Sequence, residues 1–273
     1  MKYIKEILIL KKEEIRKINR DYSCMESAFT AAEKTQKSRK SFFKNIRRGK
    51  INIIAEIKKA SPSRGMINEN LDIGRTAHIY NDFENFICGI SVLTESLYFK
   101  GDPGDIKMVK ENSKLPVLRK DFIFSDIQVY ESAALGADCI LLISTLLGRK
   151  KLKKLYDLAV SLGLDVLVEA HSIEDLDKVL DTGARFIGIN NRNLKDMSID
   201  GKTIYNFLDY RQKKDLKDKV FICESGIEDT EYIKDLFSNG VNTFLIGGYF
   251  MASKDLEKTL KKMELELKKE KLI

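Results

Sequence analysis

Eight short runs rich in Ile, Val and Leu alternate with helical patterns along most of this chain, and that alternation restricts its fold more than any other feature. The runs are Ile51–Ile57, Cys88–Thr94, Pro116–Lys120, Asp138–Ser144, Asp165–Glu169, Phe186–Asn190, Lys219–Glu224 and Thr243–Gly247. Few of them alternate strictly between apolar and polar residues, so they read as strands covered on both faces, the composition of a parallel sheet. Parallel strands need long crossovers, and the helical patterns between the runs supply them. Eight such units in 273 residues match a single (β/α)8 TIM barrel over 51–273, preceded by a helical extension over 1–50. The alternative, a doubly wound open sheet, would be expected to carry G-x-G-x-x-G after its first strand, and none is there.

The punctuation agrees. DIGRTAHIYNDF, SDIQVYESAALG, SIEDLDKVLDTG and DTEYIKDLFSNG each open with Ser or Asp where a helix needs a cap, and several close on Gly. Gly136-Ala137-Asp138, Gly183-Ala184-Arg185 and Gly240-Val241-Asn242 precede the fourth, sixth and eighth runs, as expected of glycines that end a helix before the next strand. In the extension, Ile4, Ile7, Leu8 and Ile15 form one apolar stripe, suited to covering the bottom or rim of the barrel or to walling its active site.

With 43% hydrophobic residues the chain can bury a large core without disulfides or metal. Cys24, Cys88, Cys139 and Cys223 are far apart with no C-x-x-C pair, so buried thiols in a reducing compartment are expected. The start, MKYIKEILILKKEE, has an apolar run too short for a membrane span and lacks a small-residue cleavage site, so a cytoplasmic protein with no membrane partner is expected. A formal charge of +7 arises from 48 basic and 41 acidic residues. Many of the lysines lie on helix faces such as GRKKLKKLYDLA, with no interleaved aromatic pattern, which argues against a nucleic-acid partner. The positive field suits a small anionic substrate.

Charged residues end several of the strand runs: Glu56 and Lys58 at the first, Lys120 at the third, Glu169 at the fifth, Glu224 at the seventh. A charge closing an apolar strand is costly to desolvate and needs partners or a polar cavity. In a (β/α)8 barrel all these ends meet at one mouth, where such folds place their chemistry. Side chains alternate sides along a strand, so Glu56 pairs with Lys58, Leu118 with Lys120 and Phe122, and Gly188 with Asn190 and Arg192. Any one of these charges is explained by a structural ion pair; several at one level point to an enzyme. Crowding should raise carboxylate pKa values, and dehydration with nearby cations should lower those of the lysines, both toward neutral acid–base work. Glu224-Ser225-Gly226 and Ile246-Gly247-Gly248 end the last two strands, where backbone N–H groups of such barrels cradle phosphate. Ser61-Pro62-Ser63-Arg64-Gly65 adds a basic loop after the first strand, either a plain turn or a cover for the same anion.

The strings IIAEIKKASPSRG, SVLTESLYFKG, LRKDF, LLIS, LVEAH, IGINNRNL and ESGI resemble, in order and spacing, those of the indole-3-glycerol phosphate synthase family, from about Ile51 to Gly248. The resemblance implies a (β/α)8 enzyme of tryptophan biosynthesis. It would convert 1-(2-carboxyphenylamino)-1-deoxyribulose 5-phosphate, an anionic sugar phosphate, into indole-3-glycerol phosphate, CO2 and water. It assigns Lys120 as the acid for the substrate ketone and Glu169 as proton donor or acceptor in the dehydration. Lys58, paired with Glu56, would bind substrate carboxylate or phosphate, and Asn190, Arg192 and Glu224 would hold hydroxyls and orient the lysines. Ser61, Ser225, Gly226, Gly247 and Gly248 would receive the phosphate, while Phe99 and Phe122 would wall the anthranilate ring. No cofactor or metal is implied, since the iminium formed on ring closure is itself the electron sink for decarboxylation. The expected form is a monomer, open to contacts with other tryptophan-pathway enzymes. Two departures are visible: Gly248 stands where the family commonly has a small polar residue, leaving only a backbone contact there, and Ala60 where some members carry lysine.

Two other phosphate-binding barrels are less suited. Phosphoribosylanthranilate isomerase is expected to use a cysteine and an aspartate where this chain has Glu56 and Asn190, and the tryptophan synthase alpha subunit lacks the Lys-Asp-Phe and Asn-Arg-Asn strings. A non-catalytic nucleic-acid binder would leave the buried charges unexplained.

Overall fold

The computed structural model describes residues 2–21, 25–214 and 216–273; Cys24 lies outside them. Eight parallel strands close into a barrel: β1 (Asn52–Ile57), β2 (Ile87–Leu93), β3 (Val117–Lys120), β4 (Cys139–Ile143), β5 (Asp165–Ala170), β6 (Phe186–Asn190), β7 (Val220–Glu224) and β8 (Thr243–Ile246). This is the TIM-barrel architecture that the alternation of strands and helices predicts. Each strand is almost wholly buried, as the lack of strict alternation implied.

Three helices precede the barrel: α1 (Lys2–Asp21), α2 (Met25–Gln36) and α3 (Phe42–Asn45). Between and after the strands run α4 (Ile73–Asp82), α5 (Asp105–Asn112), α6 (Asp126–Ala134), α7 (Arg149–Ser161), α8 (Ile173–Leu180), α9 (Thr203–Lys213), α10 (Thr230–Ser238), α11 (Gly248–Met251) and α12 (Leu256–Lys269). Asp72, Ser172 and Asp229 cap α4, α8 and α10 with their side chains, whereas Ser125 occupies the cap position of α6 without such a bond. Gly136, Gly183 and Gly240 all have positive φ, the left-handed turn that lets a helix end and the next strand start.

The apolar interior splits into two layers. One lies between strands and helices and includes Ile53, Val117, Ile140, Val168, Ile187 and Phe244. The other fills the barrel, with Ile54, Leu118, Leu141, Leu167, Ile222 and Leu245. Two residues beyond most of these inward side chains, on the same face, stand Glu56, Lys120, Glu169 and Glu224. The barrel is thus apolar below and charged above.

The extension divides between the possible roles. At the bottom, Phe42 of α3 joins the barrel-filling cluster, its ring lying where a Cβ on Gly89 would stand. At the top, Tyr3, Ile4 and Ile7 of α1 line the cavity described below. The expected stripe is interrupted: Ile4, Ile7 and Ile18 are buried, but so is Lys11, at 1% exposure, whereas Leu8 and Ile15 are only partly covered. Lys11 Nζ lies 2.7 Å from Asp121 Oδ1 and 2.6 Å from Glu14. Asp121 also accepts from Thr94 Oγ1 at 2.7 Å and pairs with Arg119 at 3.1 Å, and burial, which would raise its pKa, is overcome by Arg119 and Lys11 so that it stays below the ordinary value. This charge cluster fastens α1 to the residue that follows Lys120.

Cys88, Cys139 and Cys223 are buried free thiols, and burial pushes Cys88 and Cys223 up to about 12. Among the described residues no helix is long and apolar enough to cross a membrane.

Candidate active site

A cavity of about 540 Å³ opens at the strand C-termini, and every site residue expected from the sequence lines it: Glu56, Lys58, Ser61, Phe99, Lys120, Phe122, Glu169, Asn190, Arg192, Glu224, Ser225, Gly226, Gly247 and Gly248. Strand register stands Asn190 beside Glu224, and Glu169 beside Gly188, two residues earlier on the same face as Asn190.

At the floor, Lys120 Nζ donates to Glu224 Oε2 at 2.8 Å and to Glu169 Oε2 at 3.4 Å. Asn190 Nδ2 donates to Glu169 Oε1 at 3.1 Å, and Lys58 Nζ to Glu56 Oε1 at 2.8 Å. Glycines make this crowding possible. A Cβ on Gly188 would stand 2.1 Å from Glu224 Oε1, and one on Gly247 would stand 2.3 Å from Glu56 Oε1.

The electrostatics correct part of the sequence expectation. Burial works to lower the Lys120 pKa, but Glu224, Glu169 and Glu56 outweigh it and hold the ammonium well above its ordinary value. The lysine is therefore charged, because its nearest neighbours are carboxylates rather than cations. The carboxylates diverge. Burial pushes Glu224 up to about 7, opposed by Lys120 and aided by Glu169, and its Oε1 has no hydrogen-bond partner among the described residues. Glu169 goes the other way: burial is overcome by Lys120, His171 and Asn190, which keep it ionised. Two carboxyl groups on one ammonium with opposite proton preferences are the arrangement that separates an acid from a base.

The upper wall is cationic. Ala60–Ser61 and Gly65–Met66 form a small antiparallel hairpin after β1, so Pro62-Ser63-Arg64 is its tip and Ser61 Oγ accepts from the Arg64 N–H at 3.3 Å. Arg192 donates to Ser63 Oγ at 3.3 Å and to the Met197 carbonyl at 2.9 Å. Burial lowers the Arg192 pKa and Arg64 lowers it further, as two guanidiniums facing one space should. Ser225 and Gly226 both have positive φ, a turn that exposes successive N–H groups to an anion. Gly248 opens the short α11 beside them, near Arg64.

Sequence reasoning missed several contributors. The buried Glu95 carboxylate accepts from the N–H groups of Leu97, Tyr98 and Phe99 at 2.9, 2.8 and 3.0 Å, shaping the loop that carries Phe99. Tyr98 of that loop meets Tyr3 edge-on and donates to Glu6, so α1 docks on it. His171, whose Nε2 lies 3.0 Å from Glu169 Oε1, was legible only as a residue sharing the face of Glu169. Among the described residues no group of His, Cys, Asp or Glu is placed to hold a metal ion.

The chain has relatives. A sequence model of indole-3-glycerol phosphate synthase matches residues 4–263. The indole-3-glycerol phosphate synthase of Caldanaerobacter subterraneus subsp. tengcongensis is 44% identical over 248 residues, covering 91% of this chain and 93% of that protein. That of Aliarcobacter butzleri is 41% identical over 260 residues, 95% of each chain. Among solved structures, KGPDC from Streptococcus mutans superposes with a TM-score of 0.60 at 13% identity, over 81% of this chain and 98% of that one. A chain of the tryptophan synthase complex from Pyrococcus furiosus gives 0.57 at 16% identity, over 79% and 98%. At such identities these structures share the fold alone. The family match and the sequence relatives, both spanning nearly the whole chain, place it in the indole-3-glycerol phosphate synthase family, the cofactor-independent carboxy-lyases of tryptophan biosynthesis.

Proposed function

We propose that this cavity closes the indole ring of 1-(2-carboxyphenylamino)-1-deoxyribulose 5-phosphate with Lys120 as general acid and Glu169 as the proton-transfer group of the dehydration. The observation that carries the reading is Lys120 Nζ suspended between Glu224 and Glu169 at the floor of a cavity with arginines at its rim. Substrate phosphate fits the Ser225-Gly226 turn, with Gly247, Gly248 and Ser61 around it and Arg192 and Arg64 as counter-charges. The anthranilate ring fits between Phe99 and Phe122, and Lys58, held by Glu56, suits the carboxylate.

In the first step the carboxylate-bearing ring carbon attacks the ketone carbon while Lys120 protonates the ketone oxygen. The ring is left as an iminium, and the carboxylate departs as CO2, its electron pair restoring aromaticity. The new hydroxyl then leaves as water, taking a proton, and the neighbouring carbon gives one up. Glu169, ionised and 3.4 Å from Lys120, is suited to accept that proton. Glu224 and Asn190 orient the pair. The protein is inferred to act in the cytoplasm as a monomer.

The test is indole fluorescence on the synthetic substrate with Lys120→Met and Glu169→Gln. Each should fold and lose about 10² to 10⁴ in turnover, the range for one positioned acid or base. Turnover like the unmutated enzyme's in either variant removes that residue from its role.

A further inference from the structure

The loop that carries Phe99 has no apolar core of its own. Ser96, Leu97 and Lys100 are exposed, and Tyr98 and Phe99 are only partly covered. Its backbone is also unfavourable by itself. Lys100 adopts a left-handed φ of 55°, and the chain returns so close to β2 that a Cβ on Gly101 would stand 2.1 Å from the Leu93 carbonyl oxygen. One buried side chain holds the loop together. The Glu95 carboxylate lies beneath it at 0% exposure, with Oε1 accepting from the Leu97 N–H and Oε2 from those of Tyr98 and Phe99. The Glu95 carbonyl closes the neck by accepting from the Gly101 N–H at 2.8 Å.

Three walls of the cavity meet on this loop, and Phe99 is itself one of them. From α1, Tyr3 packs edge-on against Tyr98 with ring centroids 5.1 Å apart, and Glu14 accepts from Ser96 Oγ at 3.0 Å. From the hairpin after β1, the Ala60 N–H, next to Ser61, donates to the Phe99 carbonyl at 3.3 Å. The foot of the loop is tied to the strand that carries Lys120. The Thr94 N–H donates to the Lys120 carbonyl at 3.2 Å, and Thr94 Oγ1 donates to Asp121 at 2.7 Å. The place of Phe99 relative to Lys120 is therefore set through Thr94 and Glu95.

We propose that Glu95 is the positioning residue for the substrate ring, holding Phe99 where the ring carbon meets the ketone above Lys120, an inference that rests on Phe99 walling that ring. Glu95 does not line the cavity, so it acts through Phe99 and not on the substrate. The carboxylate is what the loop requires. A carboxamide of the same size has one acceptor oxygen and turns its NH2 toward at least one of the three N–H groups, so Glu95→Gln loses part of the set and leaves donor facing donor. Aspartate keeps the charge, but its shorter side chain reaches N–H groups two and three residues on and releases that of Phe99.

The test is steady-state kinetics in the indole fluorescence assay on Glu95→Gln, Glu95→Asp, Phe99→Leu and the double variant of Glu95→Gln with Phe99→Leu, with thermal melting as the check of folding. Glu95→Gln should lose about 10-fold or more in kcat/KM, approaching about 10²-fold where Phe99 moves by about 1 Å. Most of the loss should lie in KM, because the ring needs its slot in the ground state as well as in the transition state. Glu95→Asp should fall between Glu95→Gln and the unmutated enzyme. In the Phe99→Leu background, itself impaired, the change to Gln should cost about threefold or less, because both substitutions act on one contact. A KM within about twofold of the unmutated enzyme in Glu95→Gln, or a loss by the same factor with and without Phe99, overturns the proposal. If Glu95→Gln does not fold, Glu95→Asp, alone and with Phe99→Leu, is judged by the same two criteria. An unimpaired Phe99→Leu overturns instead the ring wall, so the two failures are separable.

Discussion

Gly188→Ala tests the site with one methyl group. Gly188 sits on β6 with ordinary backbone geometry, so alanine meets no conformational barrier there. Its Cβ would stand 2.1 Å from Glu224 Oε1 and 3.2 Å from Glu224 Cδ. Carbon contacts settle near 3.5 Å, so the carboxylate must retreat by about 1 Å or more. Glu224 Oε1 has no hydrogen bond to lose among the described residues, but Oε2 is the 2.8 Å acceptor of Lys120, and a retreat of that size takes it beyond hydrogen-bonding distance. The fold should tolerate the change, at about 1 to 3 kcal/mol for overpacking, because the obstacle is a side-chain tip rather than backbone. Turnover should fall by about 10²-fold, the usual consequence of misplacing a group in a reacting site by 1 Å. Steady-state kinetics and thermal melting on one preparation decide it. A variant with unchanged kcat would show that the Lys120–Glu224 contact is dispensable, and one that fails to fold would show that the barrel, rather than the carboxylate, resists the methyl.

Three further outcomes follow from other parts of the structure. Glu224, raised from 4.5 to about 7, contributes stability that is complete below about pH 4.5 and lost as pH rises through about 7. Relative to the native enzyme, Glu224→Gln should therefore gain up to about 3 kcal/mol between pH 5 and pH 8, taking 1.36 kcal/mol per unit, and parallel stability–pH curves would contradict this. Lys11→Met removes the ammonium that fastens α1 beside Asp121; it should cost about 3 kcal/mol or less, because Asp121 keeps Arg119 and Thr94, and should raise KM more than it lowers kcat. Unchanged KM would mean that α1 contributes nothing to the pocket. Inorganic phosphate at about a hundred times its dissociation constant should add about 2.7 kcal/mol to stability, seen as a higher melting temperature, and Arg192→Ala should reduce the effect; a crystal with phosphate away from Gly226 and Gly247 would contradict the site.

Much of this architecture was legible because burial and charge conflict openly in the sequence. Lys120 and Glu169 end apolar strands, and a charge there has few outlets other than a shared cavity. Lys11 carried no such signal, since a lysine on an amphipathic helix reads as solvated until Asp121 and Arg119 are seen behind it. The sign of the Lys120 shift was misjudged for a related reason: strand parity shows which face a residue takes but not which neighbours lie nearest. Gly188 looked like a plain strand residue and Gly247 like part of a phosphate cradle alone, because their purpose of leaving room for Glu224 and Glu56 depends on register with adjacent strands.

Phe42 has a consequence for where the folding unit begins. It lies upstream of the first strand, yet its ring occupies the space beside Gly89 among side chains contributed by the strands themselves. A fragment starting at Ile51 would keep every strand and still have a phenyl-sized void in its base. The barrel's hydrophobic centre therefore includes the helix that carries this aromatic plug, and a boundary drawn by secondary structure alone would cut through it.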